Sequence, residues 1–323
     1  MAWLVTGGAG YIGSHVVRAF LAEGIDVVVL DDLSSGHADF VPAGVPFVKG
    51  TLLDTALLAK TFAEHPISGV VHVAGFKYAG VSVSRPLHTY EQNVTATALL
   101  LAAMQDAGVG RIVFSSSAAV YGTPFTDLVT EETAKSPESP YGESKLIGEW
   151  LLRDQAVAAG LAHTSLRYFN AAGASERCGE LHDPETHLIP LVLQAAAGLR
   201  DRVTIFGDDY PTPDGTCVRD YIHVADLALA HVAAARRLAA GEPIEPVYNL
   251  GSGSGASVGE IMTAIADSTG IAFTPEVAPR RPGDPPRIVA SGETAARDLG
   301  WEMRHTVAEM VESAWRARSA ATS

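Results

Sequence analysis

A tyrosine stands four residues before a lysine in the segment SPYGESKLIGEW, residues 139–150. In a helix, positions i and i+4 share one face, so the Tyr141 phenol and the Lys145 ammonium project the same way. Ser139 can cap such a helix and Pro140 suits its first position, which puts Tyr141 in the first turn. There the positive end of the helix and the lysine charge both favour phenolate, lowering a pKa that is ordinarily about 10. A tyrosine so placed is expected to act as a general base. Ser117 closes the run RIVFSSS, 24 residues earlier, and is expected to bring a further hydroxyl to the same place.

The segment VTGGAGYIGSH carries the second chemical signal, Gly7, Gly10 and Gly13 at intervals of three. A tight turn needs glycine, a pyrophosphate can approach a backbone that lacks Cβ atoms, and a helix N-terminus offers unpaired N–H groups to phosphate. Tyr11 and Ile12 fall within the same expected cofactor-binding loop. Asp31 ends the next strand, 18 residues beyond Gly13, where a carboxylate binds the ribose hydroxyls of an adenosine. Such a carboxylate repels a 2′-phosphate, so NAD is expected rather than NADP.

The elements that must position these residues are legible up to about residue 170. Apolar, β-rich runs at 3–6, 26–31, 69–75, 111–117 and 164–170 alternate with segments of helical length. Near-continuous apolar strands separated by helices are what a parallel sheet covered on both faces requires. The expected fold is therefore α/β, a Rossmann-like doubly wound parallel sheet with a smaller α/β substrate-binding lobe. Residues 1–170 form the expected NAD-binding domain, and 171–323 mainly the second lobe. The strand expected at 246–250 can rejoin the large sheet.

Composition narrows the partners. The 323 residues include 23 Lys plus Arg against 37 Asp plus Glu, a formal net charge of −14. Such a surface repels nucleic acid and anionic lipid. The two cysteines, Cys178 and Cys217, have no metal-ligand spacing and point to a reducing compartment. With no secretory pattern and no apolar run long enough for a membrane span, a cytoplasmic location is expected. Glu180, His182, Asp183, Glu185 and His187 crowd one stretch but lack helical His-Glu-x-x-His spacing, so no metal is expected.

Taken together, the glycine pattern, Ser117 and Tyr141-x-x-x-Lys145 resemble the extended short-chain dehydrogenase/reductase family. Within it, FSSSAAVYG, LRYFNAAGA, IFGDDYPTPDGTCVRDYIHV, YNLGSG and APRRPGD resemble the UDP-glucose 4-epimerases, in blocks running from residue 2 to about 300. That resemblance implies NAD-dependent interconversion of UDP-galactose and UDP-glucose. Hydride leaves sugar C4, the 4-keto sugar turns in the pocket, and hydride returns to its other face. Tyr141 would be the base, Lys145 would tune it and hold the nicotinamide ribose, and Ser117 would bind the O4 atom. Lys77 matches a lysine near the cofactor. Asn170, Arg219, Arg281 and Asp284 match positions that hold the nucleotide sugar.

Departures from the pattern bear on specificity. Thr51 replaces an aspartate that reads adenine, His187 replaces an asparagine of the nucleotide loop, and Ile288 falls where residue size controls room for an N-acetyl group. Epimerases of other UDP-sugars, such as UDP-GlcNAc, UDP-GalNAc or a UDP-pentose, share these motifs. A nucleotide-sugar 4,6-dehydratase would need an acid pair where this chain has Ala118-Ala119. The family's usual homodimer would use the helical segments near 90–106 and 143–159.

Overall fold

The computed structural model describes residues 1–175, 178–182, 185–272, 274–281 and 284–321. Its first half alternates strand and helix: β1 (Ala2–Thr6), α1 (Tyr11–Ala22), β2 (Val27–Asp31), β3 (Phe47–Lys49), α2 (Thr55–Glu64) and β4 (Ile67–His72). The helices α3 (Ala79–Ser84), α4 (Pro86–Tyr90) and α5 (Ala96–Asp106) then lead to β5 (Arg111–Ser115). Next come β6 (Leu128–Val129), α6 (Pro140–Ala159), β7 (Ala162–Tyr168), β8 (Asn170–Ala172), α7 (Leu188–Ala196) and β9 (Thr204–Phe206). They are followed by β10 (Val218–Arg219), β11 (Tyr221–His223), α8 (Val224–Ala240), β12 (Val247–Leu250), β13 (Ala256–Ser257) and α9 (Val258–Thr269). The chain ends with β14 (Glu276–Ala278), β15 (Arg287–Ala290), α10 (Glu293–Leu299) and α11 (Val307–Ala321).

Seven parallel strands form the central sheet in the order β12-β7-β5-β4-β1-β2-β3. Its order reverses between β1 and β4, which opens a crevice at their C-terminal ends. Alternation along each strand sorts side chains to the two faces. Val5, Val29, Val71 and Val113 pack with Leu227, Ala234 and Leu238 of α8 on one face. Leu4, Val28, Val70 and Ile112 pack with Leu58, Leu100 and Leu152 on the other. Every residue of β1 and β2 is buried, as two covered faces require.

The rest of the chain builds over the sheet's C-terminal edge. Small sheets β13-β10-β15-β6, β11-β8 and β14-β9 carry the connecting loops, and α7, α9 and α11 bury Ile189, Leu193, Ile261, Ile265 and Val311 between them. Strands cross between the two parts: β12 lies beside β7 in the large sheet, whereas β6 pairs with β15. Three strands stop short of their apolar runs, β7 at Tyr168 among them. β4 ends at His72 and β5 at Ser115, and Ser116 N–H turns to the carbonyl of Leu166. Ser117 is thereby released from the sheet edge.

Candidate active site

Ser117 caps a single 3-10 turn, Ala118–Tyr121, by accepting from Ala119 N–H at 3.2 Å. Its hydroxyl stands near enough to the Tyr141 phenol to favour the ionised form. Tyr141 occupies the first turn of α6: Ser139 Oγ accepts from Gly142 N–H at 3.2 Å and Pro140 fills the first position. Tyr141 N–H, which a helix start leaves unpaired, donates to the buried Ser82 Oγ at 3.1 Å. Lys145 is 6% exposed; its Nζ donates to Ser115 O at 2.9 Å and lies 5.9 Å from the Tyr141 ring centroid. The three expected catalytic side chains therefore converge.

The electrostatics correct one expectation. In this ligand-free chain the Tyr141 pKa is raised, because burial disfavours phenolate more than the Ser117 hydroxyl favours it. Lys145 spends its contact on the Ser115 carbonyl, and burial lowers its own pKa to about 8 against the pull of Glu149.

Behind these residues lies a network not anticipated from the sequence. Glu149 receives Ser116 Oγ at 2.6 Å and a two-pronged contact from Arg167, at 2.8 and 2.5 Å. Arg167 also donates to Tyr121 Oη at 2.7 Å, and Tyr121 donates to Asn249 Oδ1 at 2.7 Å. The network ties α6, the serine loop, β7 and β12 together. Glu149 stands four residues after Lys145, so the helical spacing that flagged the lysine also reached this carboxylate. Asn93 sits in a π-helical turn, residues 91–95, and grips the loop after β4. It accepts from Phe76 N–H at 2.6 Å and donates to Phe76 O and to Ser144 Oγ.

The glycine loop forms a cradle between β1 and α1. Gly7 adopts φ +72°, and a Cβ there would lie 2.7 Å from Ala74 N; one on Gly13 would lie 2.0 Å from Gly7 O. Gly10 caps α1 without a side chain, so the first amides of the helix face the cradle. Tyr11 Oη donates to Gly173 O at 2.6 Å, and Ile12 packs on the core. Asp31 ends β2, is 7% exposed and accepts from Ala9 N–H at 3.0 Å and Leu33 N–H at 2.8 Å. Burial raises its pKa despite those two bonds. Lys77 follows β4; burial lowers its pKa to about 8, against the attraction of Glu180 and Glu185.

On the second lobe, Arg219 Nη2 reaches Asp284 Oδ1 at 2.7 Å, and Arg281 Nε reaches Asp284 Oδ2 at 2.9 Å. Three of the expected nucleotide-binding residues thus form one group. Asn170 lies on β8 beside them and donates from Nδ2 to Asp220 O at 2.8 Å. His187 does not join this group: its Nδ1 lies 2.8 Å from Glu185 Oε1 and 2.9 Å from Glu180 Oε1. Burial works against its imidazolium, but the two carboxylates override it and lift its pKa to about 10. Asp183 lies outside the described residues. Ile288 packs on Val120, Tyr121 and Leu146, next to the serine turn. Thr51 Oγ1 accepts from Leu53 N–H at 3.3 Å and shapes its own turn.

The pattern of the NAD dependent epimerase/dehydratase family matches residues 3–251. The chain belongs to that family. It is 48% identical over 318 residues to a UDP-glucose 4-epimerase of Halalkalibacterium halodurans, covering 98% of this chain and 95% of that one. A crystal structure of a UDP-glucose 4-epimerase superposes with a TM-score of 0.97 at 46% identity, over 99% of this chain and 98% of the other. The Brucella ovis UDP-glucose 4-epimerase, solved in complex with NAD, gives 0.94 at 43% identity, over 98% and 97%.

The residues present suit the cofactor of an NAD dependent epimerase/dehydratase. Side chains at Gly7, Gly10 or Gly13 would invade the cradle or its own turn, the α1 amides suit a diphosphate, and Asp31 suits a ribose diol.

Proposed function

We propose that this protein interconverts UDP-galactose and UDP-glucose by oxidation at sugar C4, rotation of the 4-keto sugar and re-reduction. The observation that carries the reading is the convergence of Ser117, Tyr141 and Lys145 at the C-terminal edge of a sheet that also holds the glycine cradle. NAD, when bound, supplies the hydride acceptor and donor at C4 and a positive ring that favours phenolate. Gly7, Gly10, Tyr11, Ile12, Gly13 and Asp31 hold it, with Lys77 and Lys145 beside it.

Tyr141 takes the proton of the 4-hydroxyl and returns it to O4 after the sugar has turned. Ser117 hydrogen-bonds O4 in both steps, and Lys145 keeps positive charge near the phenol. Arg219 and Arg281 receive the substrate diphosphate, releasing part of their hold on Asp284, which with Asn170 orients the nucleotide. Purified protein supplied with NAD and UDP-galactose is expected to form UDP-glucose, and Tyr141→Phe to lose that turnover while still binding NAD. Full activity in the variant overturns the mechanism.

The dehydratase reading is disfavoured because the turn after Ser117 presents Ala118 and Ala119, which carry no carboxylate for eliminating water. Action on UDP-GlcNAc is the reading that Ile288 leaves open, and the same assay with that sugar tests it. A homodimer is supported by exposed apolar side chains on α6, with Trp150 46% and Val157 88% exposed. A cytoplasmic location is supported by two buried cysteines outside any disulfide. Among the described residues no helix is long and apolar enough to cross a membrane.

A further inference from the structure

Two stretches on either side of residues 183–184 bring four metal-ligating side chains to one point. Ligand atoms of Glu180, His182, Glu185 and His187 all lie within 4.8 Å of one another. Their closest approaches are those of a coordination shell. His187 Nδ1 is 2.8 Å from Glu185 Oε1 and 2.9 Å from Glu180 Oε1, and His182 Nδ1 is 3.2 Å from Glu180 Oε1. Ligands about 2.0–2.2 Å from a shared cation stand roughly 2.9–3.5 Å apart when at right or tetrahedral angles.

A second observation is independent of this spacing. Among the described residues, neither His182 Nε2 nor Glu185 Oε2 has a hydrogen-bond partner. Both side chains are shielded from water, His182 at 6% and Glu185 at 4% exposed. Buried polar atoms are nearly always satisfied. Lys77 stands near the cluster and feels the charge of Glu180 and Glu185.

We propose that Glu180, His182, Glu185 and His187 bind one first-row divalent cation of the zinc class. Two imidazoles with two carboxylates suit zinc, whereas magnesium and calcium prefer oxygen alone. The site stands beside the cofactor cradle, where the His182 ring meets Tyr11 at 6.2 Å and Tyr78 at 6.5 Å between centroids. His187 is also the residue that precedes the first turn of α7. A bound cation would therefore pin both stretches, and the start of α7, against the glycine loop. The proposal does not depend on which sugar nucleotide the protein converts.

The test uses the full chain, stripped with EDTA, desalted and supplied with NAD. Calorimetric titration with ZnCl2 is expected to show one ion per chain, and MgCl2 to bind at least about 100-fold more weakly. Co2+ should give visible ligand-field bands that Zn2+ abolishes. His182→Gln and Glu185→Gln should each weaken Zn2+ about tenfold or more and remove the Co2+ bands, with circular dichroism and NAD binding showing that the fold survives. No saturable Zn2+ uptake, equal affinity for Mg2+, or unchanged binding in both variants overturns the proposal. Selectivity and the Co2+ spectrum of the unaltered chain decide it even if a variant fails to fold.

Discussion

Replacing Glu149 by glutamine isolates the contribution of the buried network behind the candidate catalytic residues. The pair is almost dry, with Arg167 3% and Glu149 7% exposed, and the carboxylate accepts from both Arg167 and Ser116. Removing one charge leaves the guanidinium buried without its counter-ion, which costs about 3–5 kcal/mol. Unfolding entropy of about 2.1 cal/mol/K per residue, over 323 residues, amounts to roughly 0.7 kcal/mol/K. The melting temperature should thus fall by about 4–7 °C. Differential scanning calorimetry at saturating NAD keeps cofactor binding from differing between the proteins. A double variant, Glu149→Leu with Arg167→Met, removes both charges and should recover at least half of the loss, since a buried pair exchanged for apolar side chains is often near neutral. A drop below about 1 °C in Glu149→Gln, against the expected cost of an unpaired buried charge, would refute the reasoning. So would a double variant that loses more than the two single changes together.

Four other outcomes follow from particular geometries. Gly13→Ala puts a Cβ 2.0 Å from a backbone oxygen, so it should lower the melting temperature and abolish NAD binding. Gly10→Ala meets only Gly7 O at 3.2 Å and should weaken NAD in a fluorescence titration while leaving the melting temperature within about 1 °C. Lys145 has a folded pKa of about 8 against about 10.4 unfolded. Below pH 8 both states are protonated and the full cost of the buried charge is present. Above it the folded state releases its proton first, so stability rises with pH, by up to about 3 kcal/mol, until the unfolded pKa is passed. Urea unfolding of the cofactor-free protein at pH 7 and 9.5 should show that rise in the wild type and a smaller one in Lys145→Met, where Lys77, also lowered to about 8 by burial, still contributes. Val157→Glu, on the exposed face of α6, should shift a dimer to monomer in sedimentation velocity; a wild type that is already monomeric would remove the dimer reading.

What could be read along the chain and what could not divides by the range of the forces involved. Glycine spacing, the capped start of α6 and the i, i+4 relation of Tyr141 and Lys145 are local, and the folded chain keeps each as expected. Even the capping box of α9, Ser257 with Glu260, follows from four consecutive residues. Glu149 was within reach of the same helical spacing, but its partner Arg167 comes from β7, and no local pattern joins an interior strand to a helix. The Tyr141 pKa is a sharper case. Helix dipole and lysine charge are visible in sequence and would lower it, whereas the desolvation that raises it exists only in the folded chain. The cluster at Glu180 to His187 combines both lessons. Its residues are neighbours in sequence, yet the spacing matches no helical ligand motif, and only the folded chain turns their side chains onto one point. The unsatisfied Nε2 of His182 is what distinguishes the group from a charged loop in solvent.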